Sequence, residues 1–302
     1  MCSPPRADRR RVSTRARFRH FVGIDWSGAV GARQRGIRVA LCHAGDAAPM
    51  LVRADHSWSR EDVLAWLTDD LPPDTLVGLD LGASLPFFDQ GSYFPGWSRS
   101  PPGARALWAL VDEICADDPH LAATSFVDHP QASRHFRRHG GRVGDLFPPG
   151  RGRWRLAEHA QAALGLSPVS NLNLVGAAQV GKSSLTGMRM LHRLAGRVPV
   201  WPFDLDPGHG SLLLEIYTSL AAREAGVRAG RSKLRDIDAL NAALASLGSA
   251  PVAGAGAIDD HASDALLAAA WLRVAATRPG LWHPSALTPE VARIEGWTFG
   301  VP

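Results

Sequence analysis

The chain is organised around a short apolar run that ends in an aspartate, Phe21-Val22-Gly23-Ile24-Asp25. The run has the composition of a buried strand, and Gly28 marks the turn that follows it. Burying an unpaired carboxylate is costly, so Asp25 is expected to have a cation, a backbone amide or a metal as its partner. A turn-capping aspartate that bonds its own backbone is the simpler alternative.

Further apolar runs and helical patterns follow in an order that predicts an α/β fold. Two more strand patterns come after the first, and Ser59 is a plausible N-cap for a helix that stops before Pro72. Strands at 75–80 and 211–217 complete a mixed five-stranded sheet flanked by helices. Helices are predicted at 104–115, 156–164, 184–194, 234–247 and 259–277.

The chain is predicted to form one domain over 21–302, preceded by a disordered basic tail over 1–20. Residues 87–205 are rich in Pro, Gly and Arg and are expected to form a largely helical or loop insertion before the last strand. The tail carries seven arginines against Asp8, a net +6, which leaves the body at −2 from the total of +4. Such a tail could also be a nucleic-acid-binding arm or a targeting peptide.

The composition, 45% hydrophobic and 21% charged residues, is typical of a soluble globular protein. No apolar run approaches the roughly 18 residues that a membrane helix needs. The three cysteines are far apart and odd in number, which indicates neither a disulfide framework nor a metal knuckle. A reducing cytosol, and hence a cytoplasmic protein, is the expectation.

Carboxylates recur at the ends of strands and at the start of the last helix. They are Asp25, Asp80, Glu215, Asp260 and Asp264. Asp260 and Asp264 share one face of a helix that is otherwise strongly apolar, so they are expected to lie near the core. Such a cluster suits Mg²⁺ or Mn²⁺, and two ions about 4 Å apart can activate water on a phosphodiester. Helix-capping or ion-pairing roles for the single acids stay open.

The order of these motifs resembles the family known as domain of unknown function 429, whose members are regarded as predicted RNase H-like nucleases. The motifs span roughly 21–298 and are Gly23-Ile24-Asp25-Trp26-Ser27-Gly28, Gly78-Leu79-Asp80, Glu215-Ile216-Tyr217, Asp260-His261-Ala262-Ser263-Asp264 and Glu295-Gly296-Trp297.

The resemblance implies an RNase H-like fold with a catalytic, metal-binding site formed by Asp25, Asp80, Glu215 and Asp264. The expected cofactor is Mg²⁺ or Mn²⁺ and the expected substrate is RNA, DNA or a hybrid. Thr218 stands where relatives often have a proline. We expect this departure to affect the exit of the strand and not the acid of the same motif, Glu215.

Two other readings of the chain remain. The stretch Gly176–Ser183 matches the phosphate-loop pattern G-x-x-x-x-G-K-[ST], so an ATP-binding protein of actin-like or sugar-kinase-like plan that uses residues 176–187 is an alternative. The strand before this stretch is weak, and Gly187 interrupts the helix after it. A binding module with catalytically silent carboxylates is the other alternative.

An arginine-rich part of the insertion also contains aromatic residues, as grooves that bind nucleic-acid strands do. The candidate nucleic-acid-binding residues are Arg134, Arg137, Arg138, Arg151, Arg153 and Trp154. Guanidinium groups suit phosphate because they can donate two hydrogen bonds at once. A solvated loop is the alternative interpretation of this segment.

Overall fold

The fold is built on one mixed sheet, seen in a computed structural model that describes residues 17–175, 180–228 and 233–302. The strand order is β3-β2-β1-β4-β6-β5. Strand β1 pairs antiparallel with β2 and parallel with β4, and β6 runs parallel to both β4 and β5. The strands are β1 His20–Asp25, β2 Arg38–His43, β3 Met50–Leu51, β4 Thr75–Asp80, β5 Val200–Trp201 and β6 Leu212–Ile216.

Helices cover the sheet and link its strands. They are α1 Arg60–Ala65, α2 Ala104–Ile114, α3 Thr124–Val127, α4 Leu156–Ala163, α5 Val180–Arg193, α6 Thr218–Glu224, α7 Ile237–Ser246, α8 Asp260–Ala275, α9 Pro279–Trp282 and α10 Pro289–Ile294. Ser59 caps α1 as predicted, because its side chain accepts from the backbone N–H of Asp62 at 2.9 Å. None of the described helices is both long and apolar enough to cross a membrane.

Alternation along the strands divides the core between the two faces of the sheet. Val22 and Ile24 pack with the residues of α2 and α5 on one face. Phe21 faces the other way, toward α6, α7 and α8. Asp25 has the parity of Phe21, so its side chain belongs to the α8 face.

Helix α8 lies directly on β1 because Gly23 has no side chain. A Cβ at Gly23 would lie 2.8 Å from the backbone nitrogen of Ala269 and 2.9 Å from the Cβ of Ala268. These are closer than real Cβ contacts, so the helix approaches the strand only where glycine permits it. This contact sets the position of every side chain on the first turns of α8.

The predicted α/β fold with a mixed sheet and flanking helices is confirmed. The sheet has six strands and not five, because the two-residue β5 adds to the edge of β6. The segment predicted as an insertion supplies α2 and α5, which pack on each other and cover one face of the sheet. It is therefore part of the core and not an appended cap.

The folded part of the chain begins before the predicted end of the tail at residue 20. Residues 1–16 lie outside the described residues, but Phe18 is buried and stacks on Trp282 with ring centroids 6.2 Å apart. The backbone N–H of Arg19 donates to the carbonyl of Asp74 at 2.8 Å. The fold therefore includes residues 17–20, which the sequence had assigned to the tail.

Gly23→Ala is expected to destabilise the protein by at least about 2 kcal/mol, because the added methyl group meets helix backbone that cannot turn aside. Urea denaturation followed by circular dichroism measures the loss. Gly280→Ala is the matched control, since no atom lies within 4 Å of its Cβ position. Equal stability of the two variants would show that α8 does not lie against β1 as described.

Candidate functional site

Asp25 and Asp80 lie side by side at the carboxyl ends of two parallel strands. They are register partners at the ends of β1 and β4, and neighbouring strands are about 4.8 Å apart. Both side chains belong to the α8 face, because Asp80 shares the parity of Leu76 as Asp25 shares that of Phe21. Two carboxylates are therefore held next to each other by sheet pairing alone.

Asp264 and Lys233 complete this cluster. Asp264 lies on the second turn of α8, is buried, and accepts a hydrogen bond from the ammonium group of Lys233. The charge of Lys233 also acts on Asp25 and Asp80. We call Asp25, Asp80 and Asp264 the acid cluster; it contains three carboxylates and is served by one lysine.

Two further side chains hold the acids in place. Nδ1 of His261 lies 2.7 Å from Oδ2 of Asp25. The hydroxyl of Thr218 donates to Oδ2 of Asp80 at 3.0 Å, and its backbone N–H approaches Oδ1 at 3.4 Å. Because Thr218 directly follows β6, it lies beside the end of β4 and contacts Asp80, whereas the hydrogen bonds to the carboxylate of Glu215 come from other residues.

The ionisation of the cluster reflects burial and crowding. Burial, followed by repulsion from Asp25 and Asp264, raises the pKa of Asp80 to about 7. Burial also raises the pKa of Asp264 to about 6, although Lys233 opposes the rise. The pKa of Asp25 is raised by burial against the opposing contact with His261. Without a bound cation, burial and mutual repulsion therefore make the fully ionised form of the cluster energetically unfavourable.

His261 and Lys233 respond in the opposite sense. The hydrogen bond to Asp25 raises the pKa of His261. The pKa of Lys233 is lowered by burial but raised overall by its contact with Asp264. Both side chains therefore favour their cationic forms and offset part of the negative charge.

Glu215 is part of a different structure on the opposite face of the sheet. It shares the parity of Leu213, and its carboxylate accepts four hydrogen bonds. The donors are Arg155 Nη1 at 2.8 Å and Nη2 at 2.6 Å, the Ala83 N–H at 2.7 Å and the Thr298 hydroxyl at 2.5 Å. With its oxygens so occupied, Glu215 does not fit the catalytic and metal-ligand roles predicted for it.

Asp260 lies at the margin of the site. Burial would raise its pKa, but the hydrogen bond from Arg235 at 3.2 Å and nearby cations lower it. Within the described ranges, the ligand atoms of Asp259, Asp260 and His261 form the one group of three within 4.8 Å of one another. Asp25, Asp80 and Asp264 do not form such a group of three in this arrangement, in which Lys233 is bonded to Asp264.

A cleft of about 330 Å³ opens over the carboxyl ends of the strands. Its floor contains Asp25, Asp80 and Lys233, and Arg155 and Glu215 lie at another part of its wall. Ligand sites in open α/β sheets form at this end of the strands. Asp25 and Asp80 of the acid cluster thus face a space large enough for part of a polymer or for a small substrate.

The arginine-rich segment divides into buried and exposed residues. Arg153 is 4% exposed and donates to Asp89 and to the carbonyls of Pro86, Ser92 and Tyr93. It ties one loop together and does not fit the predicted nucleic-acid-binding role.

The other predicted binding residues reach the surface to different degrees. Arg134 is paired with Asp145 and Arg138 with Asp128. The guanidinium of Arg151 lies 5.8 Å from the ring centre of Trp154, and both Arg151 and Arg137 are exposed. Two of the predicted arginines, Arg137 and Arg151, therefore combine exposure with no salt bridge among the described residues.

Sequence reasoning missed three residues that shape the site. Lys233 offered a signal, since it is one of two lysines beside 31 arginines in the chain. His261 directly follows Asp260 within the same motif. Arg155 gave no signal, because nothing in a local pattern distinguishes a buried guanidinium from the exposed arginines around it.

Comparison with models of known protein families finds no match for this chain. Comparisons with curated proteins and with solved structures find no match either. The geometry of the chain itself is therefore what a proposal about function must rest on.

The stability of the metal-free protein is expected to fall between about pH 4 and pH 7 through Asp80. Its pKa is raised from 3.8 to about 7 on folding, so folding favours the protonated carboxyl. That contribution is complete below the unfolded pKa and is lost as pH rises through the folded value. Asp80→Asn should therefore stabilise the protein at pH 8 by about 1–3 kcal/mol, the partial exposure of Asp80 limiting the gain.

Denaturation of wild type and Asp80→Asn at pH 4 and pH 8 with a chelator present measures this difference. The control is Asp70→Asn, an exposed acid paired with Arg53 at 2.8 Å. If Asp80→Asn stabilised the protein equally at both pH values, the pKa of Asp80 would not be raised by folding.

Glu215→Gln is expected to have the opposite effect and destabilise the protein by about 3–5 kcal/mol, the usual result of breaking a buried ion pair. The change weakens two contacts to Arg155, which is 1% exposed. Thermal unfolding measures the loss, with Glu224→Gln, in a surface pair with Arg278, as the control. A change below 1 kcal/mol would show that Glu215 is free of Arg155 in solution.

Proposed function

We propose that the protein hydrolyses phosphodiester bonds of a nucleic acid with a carboxylate-held divalent metal, on an RNase H-like core. The observation that carries the proposal is the pairing of Asp25 and Asp80 at the ends of β1 and β4, with Asp264 of α8 beside them. Strained carboxylates in a cleft are a common mark of a functional site. The order of motifs that resembles domain of unknown function 429 points the same way.

The sheet plan supports the RNase H-like part of the proposal. Strands β1, β2 and β3 form an antiparallel meander. On its other side β1 pairs in parallel with β4, and β6 lies next to β4 in the sheet. Helix α8 packs against β1 and carries Asp264, the third acid of the cluster. The additional edge strand β5 is an extension of this plan and leaves the centre unchanged.

The acids fit a hard divalent cation such as Mg²⁺ or Mn²⁺. Mg²⁺ retains several waters and uses one or two protein carboxylates, so Asp25 and Asp80 would hold it. A bound ion of this kind would supply activation of water and stabilisation of the leaving oxygen. Asp264 could join only after its contact with Lys233 loosens, and Glu215 and Asp260 have no ligand role in this proposal.

The remaining side chains orient the site. Thr218 fixes Asp80 through its hydroxyl, and His261 fixes Asp25 through Nδ1. His261 also keeps a proton near the cleft, because its contact with Asp25 raises its pKa. Lys233 reduces the repulsion that three carboxylates exert on a phosphate, which would otherwise oppose binding of a polyanion.

A nucleic acid is the proposed substrate because the exposed Arg137 and Arg151 provide phosphate contacts and Trp154 an aromatic face. RNA, DNA and a hybrid are the substrates to be tested.

Asp25→Asn and Asp80→Asn are each expected to reduce hydrolysis by at least about a thousandfold, since each removes a charge that would hold the ion. Single-stranded RNA, single-stranded DNA and a hybrid are incubated with Mn²⁺ or Mg²⁺, and metal binding is followed by titration calorimetry. Asp70→Asn should behave as wild type. If wild type cleaves none of the three and binds neither metal, the proposal is wrong.

Lys233→Gln is expected to tighten Mn²⁺ binding by about tenfold or more, because it removes a cation that competes for the same carboxylates. Titration of the variant and of wild type with Mn²⁺ compares the two dissociation constants. Arg235→Gln is the control, since Arg235 pairs with Asp260 at the margin of the site. Weaker binding by Lys233→Gln would indicate that Lys233 organises the ligands and does not compete with the metal.

A further inference from the structure

A second cleft, of about 240 Å³, lies on the other side of the first turn of α5. The wall between the two clefts is thin: Trp26 and Ser183 line the first, whereas Gly28 and Lys182 line the second. Gly28 lies against the backbone of Lys182 and Ser183, where a Cβ would collide. The indole N–H of Trp26 donates to the hydroxyl of Thr186 at 3.0 Å and fixes this wall.

Cations dominate the polar side of this second cleft. Arg138 and Arg142 both pair with Asp128, at 2.8 Å and 3.3 Å. Lys182 is attracted to the same carboxylate, although burial lowers its pKa. Three cations therefore share one acid, which leaves a local excess of positive charge.

Arg60 adds a fourth positive charge, which the neighbouring Glu61 partly offsets. It is 1% exposed, and its guanidinium donates to the carbonyls of Ser27, Ala29 and His120. Its role is therefore structural, but its charge lies at the wall of the cleft. An anion in the cleft would be attracted by Arg60 without displacing any of its hydrogen bonds.

Donors remain for an anion to use. Nε of Arg138 is buried and has no hydrogen-bond partner among the described residues. The pairs with Asp128 involve partly exposed side chains, and exposed ion pairs contribute little stability. An incoming phosphate can therefore compete with Asp128 for both guanidinium groups, which meet phosphate oxygens well.

The other side of the cleft is apolar. Ala29, Val30, Ala122, Val127 and Leu174 contribute to it. A ligand that fills the cleft thus needs a negatively charged group and a flat or apolar part. The volume is slightly below the range of about 300–1,000 Å³ typical of ligand pockets, which suits one nucleotide unit and not a long chain.

We propose that this second cleft binds the phosphate of a single nucleotide through Arg138, Arg142 and Lys182, with the base against the apolar wall. The cleft also contains Lys182, the lysine of the phosphate-loop pattern. Residues 176–179 of that pattern lie outside the described residues. The proposal does not depend on the acid cluster, because nucleotide binding here requires neither metal nor hydrolysis.

Isothermal titration of the full chain with AMP, inorganic phosphate, adenosine and a 5′-phosphorylated dinucleotide tests the proposal, with a chelator present. AMP or the dinucleotide should bind in a saturable manner, adenosine and phosphate each at least about tenfold more weakly. The ratio of AMP to dinucleotide affinity tells a free nucleotide from the end of a strand. Arg138→Gln, Arg142→Gln and Lys182→Gln should each weaken AMP binding by about tenfold, the effect of one charge-assisted hydrogen bond.

Two variants separate a binding role from a structural one. Asp128→Asn should strengthen AMP binding several-fold, because it removes the acid that competes with phosphate, whereas simple loosening of the loop would weaken binding. Arg99→Gln, which removes a surface arginine that is paired with Glu113 outside the cleft, should leave it unchanged. The proposal is overturned if AMP and the dinucleotide fail to bind, if phosphate alone binds as tightly as AMP, or if Arg99→Gln weakens binding as much as Arg138→Gln.

Discussion

The contact between α8 and β1 is the constraint on which the rest of the site depends. Gly23 lets the helix backbone lie on the strand, and this approach brings Asp264 and His261 to the end of β1. The same strand pairs with β4 and so places Asp80 beside Asp25. Sheet pairing thus brings Asp25 and Asp80 together, and Asp264 approaches them because Gly23 lacks a side chain. The packing and the placement of the acids are a single feature of the fold.

The buried carboxylates of this protein have two kinds of surroundings. Glu215 and Glu295 are surrounded by donors: Arg155 joins Glu215 to Glu158, and Glu295 accepts from three backbone N–H groups. Burial raises the pKa of Glu295 too, although its three backbone donors oppose the rise. The acid cluster has fewer donors, and burial together with repulsion between its carboxylates raises its pKa values. A fully hydrogen-bonded buried network helps to specify one structure. Buried carboxylates whose ionised form is unfavourable are expected where a function requires them. This difference separates the structural acids from the candidate functional ones.

The sequence predicted the elements well and their faces poorly. The apolar runs ending at Asp25 and Asp80 are strands as expected, and α8 begins beside Asp260. Glu215 was predicted to lie with the other acids but is bonded to Arg155 and Thr298. Leu212-Leu213-Leu214 is apolar on both faces, so its pattern does not reveal which way the next side chain points. Only the register, which pairs Asp80 with Ile216 and not with Glu215, resolves this. Buried arginines were likewise beyond prediction, since burial of Arg153 and Arg155 depends on loops distant in sequence.

The relation of the two clefts follows from the same geometry. The chain leaves β1 at Asp25, in the acid cluster, and within three residues passes Gly28, which touches the start of α5. Lys182 and Ser183 are adjacent in sequence but line different clefts. Negative charge collects on one side of this wall and positive charge on the other, only a few residues apart. A phosphate-bearing molecule is attracted by the basic side and repelled by the acidic side until a cation is present. The wall at Trp26–Gly28 therefore separates a cleft that attracts cations from a cleft that attracts anions. A ligand that spans the wall needs a negatively charged group in the basic cleft and a cation beside it in the acidic one.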